Sequence, residues 1–102
     1  MIDLIEKNRA AITELCRQFK VQRLAVFGSA ASSRFDPARS DVDFLYTLQS
    51  VPPGEYSNNF FGFANALESL LGRRVDLVSE KSVRNPYFRE SIEESRQPLY
   101  EA

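Results

Sequence analysis

Asp41 and Asp43 stand two residues apart in the run Ser40-Asp41-Val42-Asp43-Phe44-Leu45-Tyr46. The alternation predicts a strand over Asp41–Thr47, with Val42, Phe44 and Tyr46 on one side and both carboxylates on the other. Their Cα atoms then lie about 6.6 Å apart, which lets the side chains lean onto one hard cation or straddle a pair of ions. Asp76, within Val75-Asp76-Leu77-Val78, sits in an otherwise apolar strand where an unpaired carboxylate is costly. It is expected to need a partner or a metal. Were all three to converge, each pair at about 5 Å would repel by about 3 kcal/mol at an effective dielectric near 20. Either a proton or a cation must relieve that. Oxygen-only donors with room for water suit Mg²⁺ shared with substrate phosphates better than a closed calcium cage.

A second cluster fits the same ligand. Arg23-Leu24-Ala25-Val26-Phe27 predicts a strand ending at Gly28-Ser29. There glycine lets a ligand approach the backbone, and the serine hydroxyl and following amides can donate to phosphate oxygens. No lysine of the Walker type accompanies it. Taken singly, each feature has a plain reading: Gly-Ser as a turn, Asp-x-Asp as a solvated face. Cys16 and the pair Phe60 and Phe63 read as core, and Arg73-Arg74 as a solvated strand entry.

Around these residues the periodicity predicts helix, strand, strand, helix, strand, helix. The first helix starts at Asp3, with Glu6 completing a capping box, and its apolar stripe weakens at Asn8. The second runs from an Asn58 or Asn59 cap to Gly72, and the third from Asn85-Pro86 until Pro98 stops it. The link from Gly28 to Ser40 is too short for a crossover helix, so the first two strands should pair antiparallel. The expected class is α/β (α+β): a small mixed sheet with helices packed on it, forming one domain over 1–102.

Composition narrows the chemistry. The chain has 102 residues, 13 Lys+Arg against 14 Asp+Glu, and no histidine. A near-neutral balance argues against strong nucleic-acid binding, and the lack of histidine excludes Ser-His-Asp and Cys-His catalysis. The lone Cys16 makes no internal disulfide, no secretory signal opens the chain, and no apolar run reaches the roughly 20 residues of a membrane span. A cytoplasmic protein with no membrane role is expected, and self-association is left open.

In order, Phe27-Gly28-Ser29, Ser40-Asp41-Val42-Asp43-Phe44 and Val75-Asp76-Leu77-Val78 resemble a minimal nucleotidyltransferase of the DNA polymerase β superfamily. So do Asp36-Pro37-Ala38-Arg39, Leu70-Leu71-Gly72-Arg73, Asn85-Pro86-Tyr87-Phe88 and Leu99-Tyr100. The resemblance implies a polymerase-β-like nucleotidyltransferase fold in which Gly28 and Ser29 hold the triphosphate of ATP or another NTP. It further implies that Asp41 and Asp43 bind two magnesium ions, and that Asp76 binds the catalytic one and helps activate the attacking hydroxyl. The family's usual Gly-Ser-x-Ala-Arg-Gly is here Gly28-Ser29-Ala30-Ala31-Ser32-Ser33, leaving Arg34 as the candidate for the missing arginine. Small members similar to this chain are commonly antitoxins that silence a HEPN-domain ribonuclease by transferring AMP to a tyrosine. That is the leading expectation. A binding-only antitoxin and small-molecule nucleotidylation are the alternatives.

Overall fold

The computed structural model describes residues 1–102. In chain order the elements are α1 (Asp3–Lys7), α2 (Arg9–Gln18), β1 (Val21–Phe27), β2 (Val42–Leu48), α3 (Pro53–Leu71), β3 (Val75–Ser79), α4 (Pro86–Ser95) and β4 (Gln97–Glu101), with short 3₁₀ turns at Gly28–Ala31 and Glu80–Ser82. The strands form one sheet in the order β3-β2-β1-β4. β1 is antiparallel to both β2 and β4, as the short link before β2 requires of that pair, whereas β2 and β3 run parallel. Parallel neighbours need a long crossover, and α3 supplies it.

The sheet buries its two faces unequally. On one, Leu24, Val26, Phe44, Tyr46 and Leu48 pack with Ile12 and Cys16 of α2 and Phe63, Leu67 and Leu71 of α3, within a cluster of 16 buried residues. Burial pushes the Cys16 thiol up to about 12, so this cysteine is an inert part of the core. Phe60 is only half-buried and packs at a tilt against Tyr46, 5.6 Å between ring centroids. On the other face Ala25, Phe27 and Leu45 meet Val83 and Ile92 in a cluster of five, covered by α4. No helix is long and apolar enough to cross a membrane.

Several elements differ from the sequence expectation. The N-terminal helix is two helices, because Asn8 leaves helical geometry (φ −104°, ψ 11°) and turns its amide back to donate to Leu4 O at 2.8 Å. Such a local side-chain bond competes with the helix ladder. Asp3 lies inside the first turn of α1, not at its cap. α3 starts earlier than predicted, with Pro53 as its first residue, so Asn58 and Asn59 are interior. Proline already lacks the amide that a first-turn position leaves unpaired. Gly72 ends α3 in the left-handed region, as expected.

The fourth strand was not predicted at all. Pro98 stops α4 as expected, but the chain then pairs with β1, Pro98 lying opposite Ala25. β4 is an edge strand, where a missing amide is tolerated, and its Leu99 is buried against the main core.

The cap of α4 is as the sequence implied: Asn85 Oδ1 accepts from the amides of Tyr87 and Phe88 at 2.9 and 3.2 Å. Asn85→Ala should therefore cost about 1 kcal/mol. Urea unfolding would show a lower midpoint with an unchanged slope. No fall in the midpoint would refute the cap.

Candidate active site

β1 ends where β2 and β3 begin, and at that edge the register sets Phe27 opposite Asp43 and Asp43 beside Asp76. Side chains in register on neighbouring strands share a face, with backbones about 4.8 Å apart. The two aspartates therefore stand side by side on the face that α4 partly covers. Asp43 is half-buried, being on an inner strand, whereas Asp76 is exposed because β3 is the sheet edge. The expectation that an apolar strand would bury Asp76 and force it to find a partner thus fails: the edge position hydrates it.

Asp41 lies one residue before β2, not within it. Its Oδ1 is 3.6 Å from Nε of Arg74, a side chain that is 85% exposed, so this ion pair is a weak tether in water. As the side chains stand, no three carboxylates close around a single ion.

Glycine is required at 28 for two reasons. Its φ is +70°, and a Cβ there would lie 2.8 Å from Oδ2 of Asp43. The Gly28 turn and the Asp43 carboxylate thus stand so close that no side chain fits between them.

Asp43 carries the electrostatic cost of the arrangement. Burial first, then the neighbouring Asp76 and Asp41 charges, push its carboxyl up from 3.8 to about 6. Near neutral pH the row therefore favours either a proton or a cation. Hard oxygen donors beside an opening to solvent suit Mg²⁺, with Asp43 and Asp76 adjacent in register and Asp41 paired with the exposed Arg74.

On the other side of Gly28 a cleft of about 400 Å³ opens between the Gly28–Ala31 turn and α4. Gly28, Ser29 and Arg34 line one wall, and Ser91, Glu94 and Ser95 the other. The structure thus gathers Gly28, Ser29 and Arg34 around one cleft that none of Asp41, Asp43 and Asp76 lines, and of the three Asp43 is the one set against Gly28. The α4 residues were missed in sequence reasoning, and no local signal could have found them: Gly28 and Ser95 are 67 residues apart.

Arg73 is not the solvated entry residue expected. Its guanidinium donates to Pro37 O and, at 3.3 Å, to Ser40 O, and lies over the Phe35 ring at 4.9 Å. It pins the loop that leads into Asp41.

Comparison with known proteins gives a consistent picture. A family model described as the nucleotidyltransferase domain matches residues 9–99. A Methanocaldococcus jannaschii protein provisionally named a protein adenylyltransferase is 36% identical over 92 residues, covering 90% of this chain and 87% of its own. The protein adenylyltransferase MntA of Thermococcus cleftensis is 36% identical over 72 residues, 71% of this chain and 69% of its own. Among solved structures, a provisionally assigned minimal nucleotidyltransferase superposes with a TM-score of 0.75 at 34% identity, covering 96% of this chain and 97% of that one. A chain from the Shewanella oneidensis complex of a tri-AMPylated HEPN toxin with its MNT antitoxin has a TM-score of 0.62 at 21% identity, covering 95% and 72%. At that identity the likeness is one of fold.

The raised Asp43 carboxyl has a thermodynamic consequence. Because its folded value of about 6 lies above the ordinary 3.8, the folded state holds more protons between these values, and stability falls as pH rises through that window. In metal-free buffer Asp43→Asn should remove the slope. At pH 7 it should add about 1–2 kcal/mol, the full shift being discounted for partial exposure. Urea unfolding at pH 4.5 and pH 7 in EDTA checks this, and an unchanged slope in the variant would place the titration elsewhere.

Proposed function

The chain belongs to the nucleotidyltransferase domain family, and on that premise we propose that it transfers AMP from ATP to a tyrosine hydroxyl of a HEPN-type partner, silencing it as an antitoxin in the cytoplasm. The observation that carries the reading is the closeness of Gly28 to Asp43, which Asp76 adjoins in register. It supports a triphosphate cradle at Gly28-Ser29 next to carboxylates that would hold the cation. The protein acceptor is supported by the relatives named protein adenylyltransferases. The partner class is supported by the toxin–antitoxin complexes that share the fold.

Ser29 would hold phosphate oxygens through its hydroxyl and amide, and Arg34, exposed at the same cleft, would neutralise the triphosphate tail. Asp43 and Asp76 would bind magnesium, joined by Asp41 once its carboxylate leaves Arg74. Bound there, Mg²⁺ supplies charge neutralisation for the leaving pyrophosphate and lowers the pKa of the attacking hydroxyl. The acceptor oxygen forms a bond to the α-phosphorus as the bond to the pyrophosphate oxygen breaks. Asp76, open to solvent at the sheet edge, takes the hydroxyl proton. No histidine is needed for any of these roles.

A second reading, a contact-only antitoxin, is favoured by one feature: Ser32-Ser33 stand where the family carries Arg-Gly. Intact mass spectrometry of the HEPN partner, after incubation with the protein, Mg²⁺ and ATP, separates the two. The transferase reading expects a gain of one or more adenylyl groups. Asp41→Asn with Asp43→Asn should abolish it, and Ser29→Ala should slow it tenfold to a thousandfold, as loss of a transition-state donor does. Full neutralisation by the double variant, with no mass gain, would establish the contact-only reading instead.

A further inference from the structure

The cleft wall contributed by α4 does more than bound the space. Gly28 N–H, the first amide of the turn, is already taken by the opposite wall: it donates to Ser95 Oγ at 2.9 Å. The hydroxyl's own proton goes back to Ser91 O, one helical turn earlier, at 3.4 Å. Ser95 is thus fixed as an acceptor, because its only donor is spent on the helix. At the other end of the same four-residue turn, Gln97 Nε2 donates to Ala31 O at 3.2 Å. Residues 95 and 97 therefore hold the first and last residues of Gly28–Ala31.

The junction that carries them is itself braced. Between the two, Arg96 turns the opposite way and pairs with Glu93 at 2.8 Å and Glu80 at 3.4 Å. Glu80 in turn lies 3.6 Å from Arg23 of β1. An arginine anchored on both sides leaves its neighbours little freedom. The turn needs such a hold: Gly28 is the residue of greatest conformational freedom, and a small displacement there moves Ser29 relative to Asp43.

We propose that Ser95 and Gln97 are positioning residues forming a two-point clamp, which sets the Gly28–Ala31 turn in the conformation that receives the nucleotide. The clamp touches no reacting atom. It acts by fixing the amide of Gly28 in the protein, so that the donors offered to phosphate begin at Ser29. The inference rests on the nucleotide-binding reading above and assigns α4 a role in that site beyond shape.

The test uses the full chain, AMP-PNP with Mg²⁺ as the probe, and two readouts: equilibrium affinity by calorimetry and exchange of the Gly28 amide by NMR. Ser95→Ala should speed Gly28 exchange at least tenfold and weaken AMP-PNP about tenfold. Ser95→Thr, which keeps the hydroxyl and can bond back to residue 91, should restore both. In turnover with the HEPN partner, KM for ATP should rise while KM for the partner is unchanged, a split that general destabilisation would not produce. Gln97→Ala should weaken AMP-PNP in the same sense and serves if Ser95→Ala does not fold. Unchanged AMP-PNP affinity in Ser95→Ala, with Gly28 exchange accelerated, overturns the clamp alone. Failure of the wild-type chain to bind AMP-PNP overturns the nucleotide reading and the clamp with it.

Discussion

The carboxylate of Asp43 occupies the space where a side chain at position 28 would be. That exclusion joins the two halves of the site. It fixes residue 28 as glycine, the residue that also tolerates the positive φ at which the chain leaves β1, and sets the Gly28 turn against the Asp43 carboxylate. The sheet register then adds Asp76 beside Asp43, and the price is a carboxyl that resists ionisation because it is half-buried among like charges. A site built this way is electrostatically incomplete by itself.

The surrounding structure serves to hold that one contact. The α3 crossover makes β3 parallel to β2, and only that pairing, in that register, sets Asp76 beside Asp43. The guanidinium of Arg73 gathers Phe35, Pro37 and Ser40, fixing the path by which the chain enters β2 just after Asp41. From the opposite side, α4 closes over Phe27 and Leu45 and reaches the turn through Ser95. Each constraint comes from a distant stretch of chain, so the geometry belongs to the fold rather than to any motif.

That explains which features were legible in the sequence. Alternation around Asp43 and the glycine after Phe27 are local signals, and they located the strand and the turn, although Asp41, expected to share the strand face of Asp43, lies one residue before β2 and pairs with Arg74. The Asn85 cap and the Gly72 stop were equally local. The exposure of Asp76 was not, because an apolar strand gives no sign of whether it will be central or at an edge. Pro98 reads as a stop and is one, but proline is silent about a strand that follows on the sheet margin. The partners of Arg73 and the serines of α4 were invisible for a related reason: their roles exist only once residues tens of positions apart are brought together.

The unequal burial on the two faces of the sheet has a dynamic consequence. Local opening free energy follows the apolar contacts an element must surrender. α2 and α3 can leave the sheet only by disrupting the cluster of 16 buried residues, whereas α4 rests on a cluster of five. With fewer apolar contacts beneath it, α4 depends on polar contacts for its hold: Ser95 on Gly28 and, just beyond the helix, Arg96 on Glu80 and Gln97 on Ala31. Loss of those contacts would widen the cleft between turn and helix at lower energetic cost than distortion of the carboxylate row, which sits on the sheet over the larger core.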